Sequence, residues 1–294
     1  MLLSLSYRLT SGRLVVVETL SQLDVIRRLQ GAYPEVFSPG TLDSSSALYE
    51  FRRKSNLLSP IGLEGLHMIG RTASTLWLYH KLGVKYVTLT WNCRNAIADA
   101  AQVTVLDDSL DPEAAQPAKP YWVGLSPLGV KTIRELNRLG IRRMVPKPGA
   151  WSGSISPIRT LRLCSTYLAA IRRNIFLVQK RPSSSLTPPR NLPTFFPANS
   201  ILEFVAEHIL YIGKKIGFEQ VGIGSDYCGI SDTPKGLEDV AKFPDLVREY
   251  CRRSLRDDEI EGIIGGNVLR VWRRVEEVSA EMQARGELPM EDEI

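Results

Sequence analysis

The sequence predicts an α/β fold in which helices cover a parallel sheet. Short apolar runs alternate along the chain with segments whose apolar residues recur every three or four positions. These are the patterns of buried strands and of helices with one buried face, and their alternation is typical of a parallel sheet. The chain has 294 residues, of which 44% are hydrophobic and 23% charged, so it can bury one large core or two small ones.

The residues before position 141 contain three predicted strands and four predicted helices. Ser126 and Pro127 have the form of a helix N-cap followed by a first-turn proline. Gly83 and Gly140 stand where a glycine commonly ends a helix. The predicted strands are Leu14–Val17, Pro60–Leu63 and Val84–Leu89, and the predicted helices are Thr19–Tyr33, Ala47–Arg53, Ala73–Leu82 and Ser126–Leu139.

The alternating pattern fails after Ile141 and returns at Ser200. Prolines are scattered among serines and arginines in between, and only Leu161–Val178 could hold a regular element there. Beyond this segment the pattern again indicates helices and one strand. The predicted elements are a helix at Ser200–Lys215, a strand at Gln220–Ile223, a helix at Phe243–Ser254 and a helical pair at Asp257–Glu277 that is broken near Gly265.

Charge is distributed unevenly, and one window makes the protein basic. Leu136–Leu202 holds eleven of the 37 Lys and Arg residues and none of the 32 Asp and Glu residues. We call it the acid-free window. A compositional break of this size marks a disturbed segment rather than an ordinary loop. We therefore expect one domain, residues 1–294, with a disrupted basic segment at 136–202.

Composition also excludes several classes of protein. No run approaches the roughly 18 apolar residues of a membrane span, and the first twenty residues are interrupted by charges, so neither a membrane protein nor a signal peptide is predicted. Four cysteines lie far apart without a CxxC pair, which indicates a reducing, cytoplasmic location and no zinc finger. Aromatic residues in the acid-free window are too irregular to stack bases, so no nucleic-acid partner is expected.

Three sequence blocks carry a family resemblance. Ile61–His67 reads IGLEGLH, Tyr79–Thr90 reads YHKLGVKYVTLT, and Val221–Ile230 reads VGIGSDYCGI. In this order they resemble the membrane (renal-type) dipeptidases, a family of zinc amidohydrolases, and especially its fungal members. The resemblance implies a (β/α)8 TIM-like barrel with its site at the carboxyl ends of the strands. It also implies two zinc ions and a dipeptide substrate, and we add a homodimer and fungal secondary-metabolite (toxin) biosynthesis as expectations.

Two carboxylates match functional positions of that family. Glu64 matches a metal-bridging ligand: it ends an apolar strand, and Gly65 beside it leaves room for an ion. The alternative is a Glu that caps a helix or faces solvent. Asp226 matches the catalytic Asp, which handles the proton of the attacking water and binds the substrate's amino group; its alternative is a turn residue. Cys228 stands where the family commonly has a second Asp.

Most other metal ligands of the family have no counterpart. The family's first strand carries a His-x-Asp pair, but no His precedes His67, so we expect that strand to be missing. Two later histidines should fall in the acid-free window, which has none, so we expect disrupted middle strands. Four of the family's five ligands are thus absent. His67 either supports a ligand or is a polar residue at a helix start, and Trp91 replaces a substrate-contacting His of animal members.

A shifted reading frame accounts for part of this loss. Pro182–Asn191 can be back-translated so that, starting two nucleotides later, it reads Val-Ile-Phe-Ser-His-Ser-Ser-Ala-Lys, similar to a ligand strand of the family. We therefore expect a truncated and frameshifted sequence. Two functions remain open: a zinc-dependent dipeptidase-like hydrolase, and a catalytically inactive remnant or binding protein with a basic segment.

Overall fold

A computed structural model describes residues 2–3, 12–91, 93–100, 102–104, 115–117, 119–144, 176–178, 200–225, 227 and 233–292. Two compact units divide the chain. The first comprises Met1–Arg172 with Trp272–Ile294, and the second comprises Arg173–Val271. The assignment of residues 1–294 to a single domain stays a prediction.

The first unit alternates strands and helices, as the sequence predicts. Ser126 caps its fourth helix by accepting a hydrogen bond from the Gly129 amide, and Gly140 ends that helix at φ 74°. The elements are β1 (Leu2–Leu3), α1 (Gly12–Ala32), α2 (Ser44–Lys54), β2 (Ile61–Glu64), a 3-10 helix (Leu66–Ile69), α3 (Ala73–Lys81), β3 (Val84–Thr88), β4 (Gln102–Thr104), β5 (Ala115–Pro117), α4 (Pro127–Leu139) and β6 (Arg142–Met144).

A four-stranded parallel sheet lies at the centre of this unit. Its order is β1-β2-β3-β6, and the register places Glu64 beside Thr88 and Tyr86 beside Arg142. One face of the sheet packs against α1, α3 and α4. The fully or almost fully buried side chains of this core include Leu23, Leu63, Leu76, Val87 and Leu136. Strands β4 and β5 form a separate antiparallel pair.

Two expectations about the first unit need correction. The predicted strand Leu14–Val17 is wrong, because these residues lie in α1, where buried Val15 accepts a hydrogen bond from the Thr19 hydroxyl four residues later. The expectation of a missing first strand is not confirmed either. Leu2 and Leu3 pair in parallel with Gly62 and Leu63, so a short strand does lie beside β2. It carries two leucines rather than a His-x-Asp pair.

Among its described residues, the second unit contains a two-stranded parallel sheet, three α-helices and the start of a fourth. The predicted break in the last helical pair is confirmed, since Gly265 takes the non-helical φ of 150° there. The elements are β7 (Phe176–Val178), α5 (Leu202–Ile216), a 3-10 helix (Phe218–Gln220), β8 (Val221–Ile223), a 3-10 helix (Val240–Lys242), α6 (Phe243–Arg252), α7 (Asp257–Glu261), a π-helical turn (Gly262–Gly266) and α8 (Asn267–Ala284). Helix α8 continues into the first unit after Val271.

Strand β8 and helices α5, α6 and α7 enclose the second core. Its most buried members are Ala206, Ile209, Val221 and Tyr250. Strand β7 pairs in parallel with β8, so a strand-forming segment does occur within Leu161–Val178 as the sequence allowed. Within the described part of the chain, no helix combines the length and the hydrophobicity that crossing a bilayer requires.

Candidate active site

Glu64 lies at the carboxyl end of β2, where the sequence places it. Successive side chains of a strand point to opposite faces, and Leu63 is fully buried against the helices. Glu64 and Gly62 therefore lie on the other face of the sheet, where Glu64 is half-buried. We call this surface, formed by Gly62, Glu64, Tyr86, Thr88 and Arg142, the Glu64 face. It carries the carboxylate that the family resemblance assigns to metal binding.

The Tyr86 ring covers Gly62 at the middle of this face. A Cβ atom on Gly62 would lie 2.8 Å from Cδ2 of that ring, and nearer still to Cε2 and Cζ. Only glycine therefore allows the ring to lie so close to β2. Burial raises the pKa of Tyr86 to about 12, and the negative charge of Glu64 acts in the same direction while Arg142 opposes it. The phenol is consequently neutral at physiological pH.

Arg142 places a positive charge on the same face. Its guanidinium carbon lies 5.7 Å from the centre of the Tyr86 ring, within the range of a cation–π contact. The Nη1 atom is buried and has no hydrogen-bond partner. Burial lowers the pKa of Arg142, although Tyr86 partly offsets this. Arg142 could not be identified from the sequence, because the pattern of strands and helices fails from Ile141 onward.

The chain segment that follows β2 holds Gly65 and His67 next to Glu64. Gly65 adopts φ 109°, and a Cβ atom there would lie 2.5 Å from Nδ1 of His67. Burial lowers the pKa of His67 to about 4, so its imidazole is neutral at physiological pH. His67 lies in the 3-10 helix, in agreement with the expectation of a polar residue at a helix start. The other expectation, that His67 supports Glu64 as a ligand, stays a prediction.

A tightly hydrogen-bonded loop follows β3. The Asn95 side chain accepts hydrogen bonds from two backbone amides and donates one to the Leu89 carbonyl at 2.8 Å. Asp99 is 4% exposed and accepts hydrogen bonds from the backbone amides of Tyr121, Trp122 and Gly124. These two side chains order the loop that leaves the sheet near Glu64. An Asn and an Asp four residues apart after a strand could have signalled such a turn.

The described residues do not fit a catalytic metal centre by themselves. Across the described ranges, no three His, Cys, Asp or Glu side chains come together as a possible metal site. Among its described residues the Glu64 face has Glu64 as its one carboxylate, strand β1 consists of leucines, and β6 brings Arg142 to this face. A catalytic zinc ion usually has three protein ligands. One carboxylate on the same face as a buried guanidinium does not meet that requirement.

Asp226 itself lies outside the described residues, as does Cys228. Its neighbours belong to the second unit. Strand β8 ends at Ile223, and the Tyr227 hydroxyl donates a hydrogen bond to the Asp239 carbonyl at 3.0 Å. The Tyr227 ring also stacks on Phe243 with 6.3 Å between ring centres. The residue directly after Asp226 is thus held by two contacts.

A family model described as membrane dipeptidase (peptidase family M19) matches residues 8–144 and 190–286. Both matched ranges carry a predicted site residue, Glu64 in the first and Asp226 in the second. The unmatched stretch 145–189 lies inside the acid-free window. The matched ranges therefore end and resume close to the compositional break seen in the sequence.

Relatives of known sequence point to the same family, and a solved structure shares the fold. The chain is 32% identical to dipeptidase aclJ of Aspergillus oryzae over 95% of its length, and 34% identical to uncharacterized dipeptidase C3A11.10c of Schizosaccharomyces pombe over 94%. It spans 66% of the length of each of these relatives. The crystal structure of the probable dipeptidase PvdM from Pseudomonas aeruginosa shares the fold at a TM-score of 0.69 and 17% identity, covering 93% of this chain and 83% of PvdM.

These matches confirm the resemblance read from the three sequence blocks, and they extend it over most of the chain. They also place the fold among α/β structures of the TIM-barrel kind, whereas an incomplete barrel is not confirmed. The family is one of metallopeptidases, so a metal cofactor belongs to it. The chain belongs to the membrane dipeptidase family, peptidase family M19.

Proposed function

We propose that this chain is a zinc-dependent, dipeptidase-like hydrolase that cleaves the peptide bond of dipeptides, and that it acts in fungal secondary-metabolite biosynthesis. The observation that carries the proposal is Glu64 at the carboxyl end of a parallel strand, inside a range that matches a dipeptidase family. Active sites of TIM-like barrels lie at this end of their strands. The fungal relatives named as dipeptidases support the substrate class.

Glu64 is the residue we assign to metal binding. A carboxylate at a strand end can reach an ion above the sheet, and zinc accepts carboxylate oxygens together with imidazole nitrogens. Asp226 is the residue we assign to catalysis and to substrate binding. It would take the proton of the attacking water and hold the free amino group of the dipeptide.

Whether the chain as it stands is active is a separate question, because Glu64 alone cannot replace the three or four protein ligands that a catalytic zinc site usually has. We expect the protein to retain little zinc after dialysis. We also expect that restoring the alternative reading frame across 136–202, and adding an upstream strand with His-x-Asp, would produce an active dipeptidase. The match gap at 145–189 supports this expectation.

The test compares the chain as it stands with the repaired gene. Zinc content after dialysis and hydrolysis of a dipeptide panel, with and without chelator, are measured for both proteins. Glu64→Ala and Asp226→Ala should each abolish activity of the repaired protein, and Glu64→Ala alone should lower its zinc content. Glu35→Ala, at an exposed position of the first unit, is the matched control.

Three results would contradict these proposals. A folded, zinc-loaded repaired protein without peptidase activity would refute the dipeptidase function. Activity that survives either substitution would refute the role given to that residue. Stoichiometric zinc in the unrepaired chain would show that other residues complete the metal site.

The alternative function, an inactive remnant or binding protein with a basic segment, is not favoured. Both ranges that flank the basic segment match a peptidase family. A homodimer, a cytoplasmic location and the absence of a nucleic-acid partner stay predictions from the sequence.

A further inference from the structure

A cavity of about 660 Å³ lies in the first unit, between helix α2 and the segment that precedes it. Its walls include Pro34 and Pro39 from that segment, Tyr49 from α2, and Asn56, which follows the helix. None of the residues that line it belongs to the Glu64 face. Asn56 comes before β2 begins, whereas Glu64 ends β2, so the whole of that strand separates the two residues along the chain. A cavity of this volume suits a small organic ligand.

The Asn56 side chain is buried in the wall of this cavity without a hydrogen-bond partner. The residue is 1% exposed, and neither its amide nitrogen nor its amide oxygen makes a hydrogen bond within the described part of the chain. Gln30, another buried amide of this unit, uses both atoms: it donates to the Ser59 carbonyl at 2.8 Å and accepts from the Gly40 amide at 3.3 Å. Buried polar groups are normally paired in this way, because an unmatched donor or acceptor loses its hydrogen bonds to water without replacement. Asn56 therefore offers a donor and an acceptor to a molecule in the cavity.

The backbone on both sides of Asn56 is held in place. Ser55 ends α2 with a left-handed backbone at φ 57°. Leu57 donates a hydrogen bond to the Val36 carbonyl at 2.6 Å and accepts one from the Ser38 amide at 2.8 Å. The fold thus fixes the position of the Asn56 amide before any ligand arrives. A group that is already ordered loses little conformational entropy when it binds.

The charge and shape of the walls favour a neutral, planar ligand. Glu50 and Lys54 both line the cavity, and Nζ of Lys54 lies 2.5 Å from a carboxylate oxygen of Glu50. These two charges compensate each other, so neither calls for an opposite charge on the ligand. Tyr49 is 64% exposed, and its aromatic ring is available to stack on a flat ligand.

The Asn56 amide selects the hydrogen-bonding pattern of that ligand. A carboxamide forms two hydrogen bonds with an edge that carries an N–H donor beside an acceptor. Asparagine pairs in this manner with N6 and N7 of adenine. An aromatic carboxamide presents the same pattern, and both kinds of molecule are planar enough to stack on Tyr49.

We propose that this cavity binds a small, neutral, planar ligand that has such an edge, with Asn56 pairing with the edge and Tyr49 stacking on the ring. An adenine base and an aromatic carboxamide are the two sources of this chemistry. The site is separate from Glu64, and the proposal does not rest on the proposed hydrolase function.

Calorimetric titration of the full chain at neutral pH tests the proposal with two matched pairs of ligands. Adenosine is compared with inosine, and nicotinamide with nicotinate; the second member of each pair lacks the N–H donor. Adenosine or nicotinamide should bind, and should do so about ten-fold or more tightly than its analogue, because the analogue leaves a buried acceptor unmatched. Binding of adenosine identifies a purine base as the source, and binding of nicotinamide identifies a carboxamide. Binding of neither, or equal binding of a ligand and its analogue, would overturn the proposal.

Variants of the cavity assign the binding to its two side chains. Asn56→Leu removes both polar atoms and should weaken binding about ten-fold or more, whereas Asn137→Leu, the same change in α4 outside the cavity, should leave it unaltered. Tyr49→Ala should also weaken binding about ten-fold, and Tyr49→Phe should retain it, because stacking needs only the ring. Since Tyr49 is exposed, this second pair serves if Asn56→Leu does not fold. Unchanged binding in folded Asn56→Leu or in Tyr49→Ala would overturn the proposal.

Discussion

Substituting Gly62 by Ala tests the packing that shapes the Glu64 face. The new methyl group would lie less than 3.0 Å from three atoms of the Tyr86 ring, so the ring or the strand must move. Inserting a methyl group into a closely packed region costs about 1–3 kcal/mol. Because Tyr86 also contacts Arg142, its displacement has few directions open to it, and we expect a loss of about 2–3 kcal/mol in the free energy of unfolding.

A double-mutant cycle isolates this contact. In a Tyr86→Ala background the methyl group meets no ring, so Gly62→Ala should then be neutral or should stabilise by about 0.4–1 kcal/mol through the restricted unfolded chain. The sign of the effect thus reverses between the two backgrounds. The coupling energy between the two positions, the difference between these two effects, should be about 2–4 kcal/mol.

Urea unfolding followed by circular dichroism supplies the four free energies. Gly31→Ala is the matched control: a Cβ atom there meets nothing within 4 Å, so this helical position should be stabilised by about 0.5–1 kcal/mol. A cost below about 0.5 kcal/mol for Gly62→Ala, or the same cost in both backgrounds, would refute the argument that the ring requires glycine.

Three further predictions concern single side chains of the first unit. Since burial lowers the pKa of His67 from 6.5 to about 4, the free energy of unfolding of the wild type should fall by about 1–2 kcal/mol as the pH falls through that window, and that of His67→Gln should fall by less. Urea unfolding at pH 7 and at pH 4.5 gives these free energies, and an equal decrease for the wild type and His67→Gln would contradict the prediction. Asp99→Asn should lower the free energy of unfolding by about 2–3 kcal/mol, because a buried acceptor of several backbone amides is changed. Asp24→Asn, in an exposed ion pair, is the control and should lower it by less than about 1 kcal/mol in thermal or urea unfolding. Asp43→Ala removes the N-cap of α2 and should cost about 1 kcal/mol in the same measurement, and no change would show that the cap is dispensable.

Elements with local signals could be predicted from the sequence alone. Helix α4 is an example, because Ser126 caps its first turn and Gly140 ends it with a left-handed backbone. The break before α8 is another, since Gly265 takes a conformation that other residues rarely adopt. In both cases the determining residue acts on its immediate neighbours, so no tertiary information is needed.

The start of α1 could not be predicted in this way. Three consecutive valines at 15–17 favour a strand by intrinsic preference. Val15 is nevertheless 3% exposed, and it lines up with Thr19 and Leu23 on one helical face that packs into the core. Burial of that face outweighs the weak local preference, and only the tertiary structure reveals it.

The candidate site likewise contains one residue that could be predicted from the sequence and one that could not. Glu64 could be placed because an apolar run predicts its strand and the residue ends that run. Arg142 could not, because its strand contains charged residues and has no apolar pattern; it pairs with β3 through the backbone. Its position on the Glu64 face follows from register, which the sequence does not state.

Strands β1 and β6 show why a sheet can form without the particular side chains that a metal site requires. Each pairs in parallel with a central strand, β1 with β2 and β6 with β3. That pairing uses backbone N–H and C=O groups, which every residue except proline provides. A metal ligand, in contrast, requires a particular side chain at one alternate position of the strand. Two leucines can therefore fill the place of a strand beside Glu64 without supplying an oxygen or nitrogen ligand. An arginine in β6 can likewise complete the sheet while bringing positive charge to the Glu64 face, so the pairing of these strands does not depend on metal ligands.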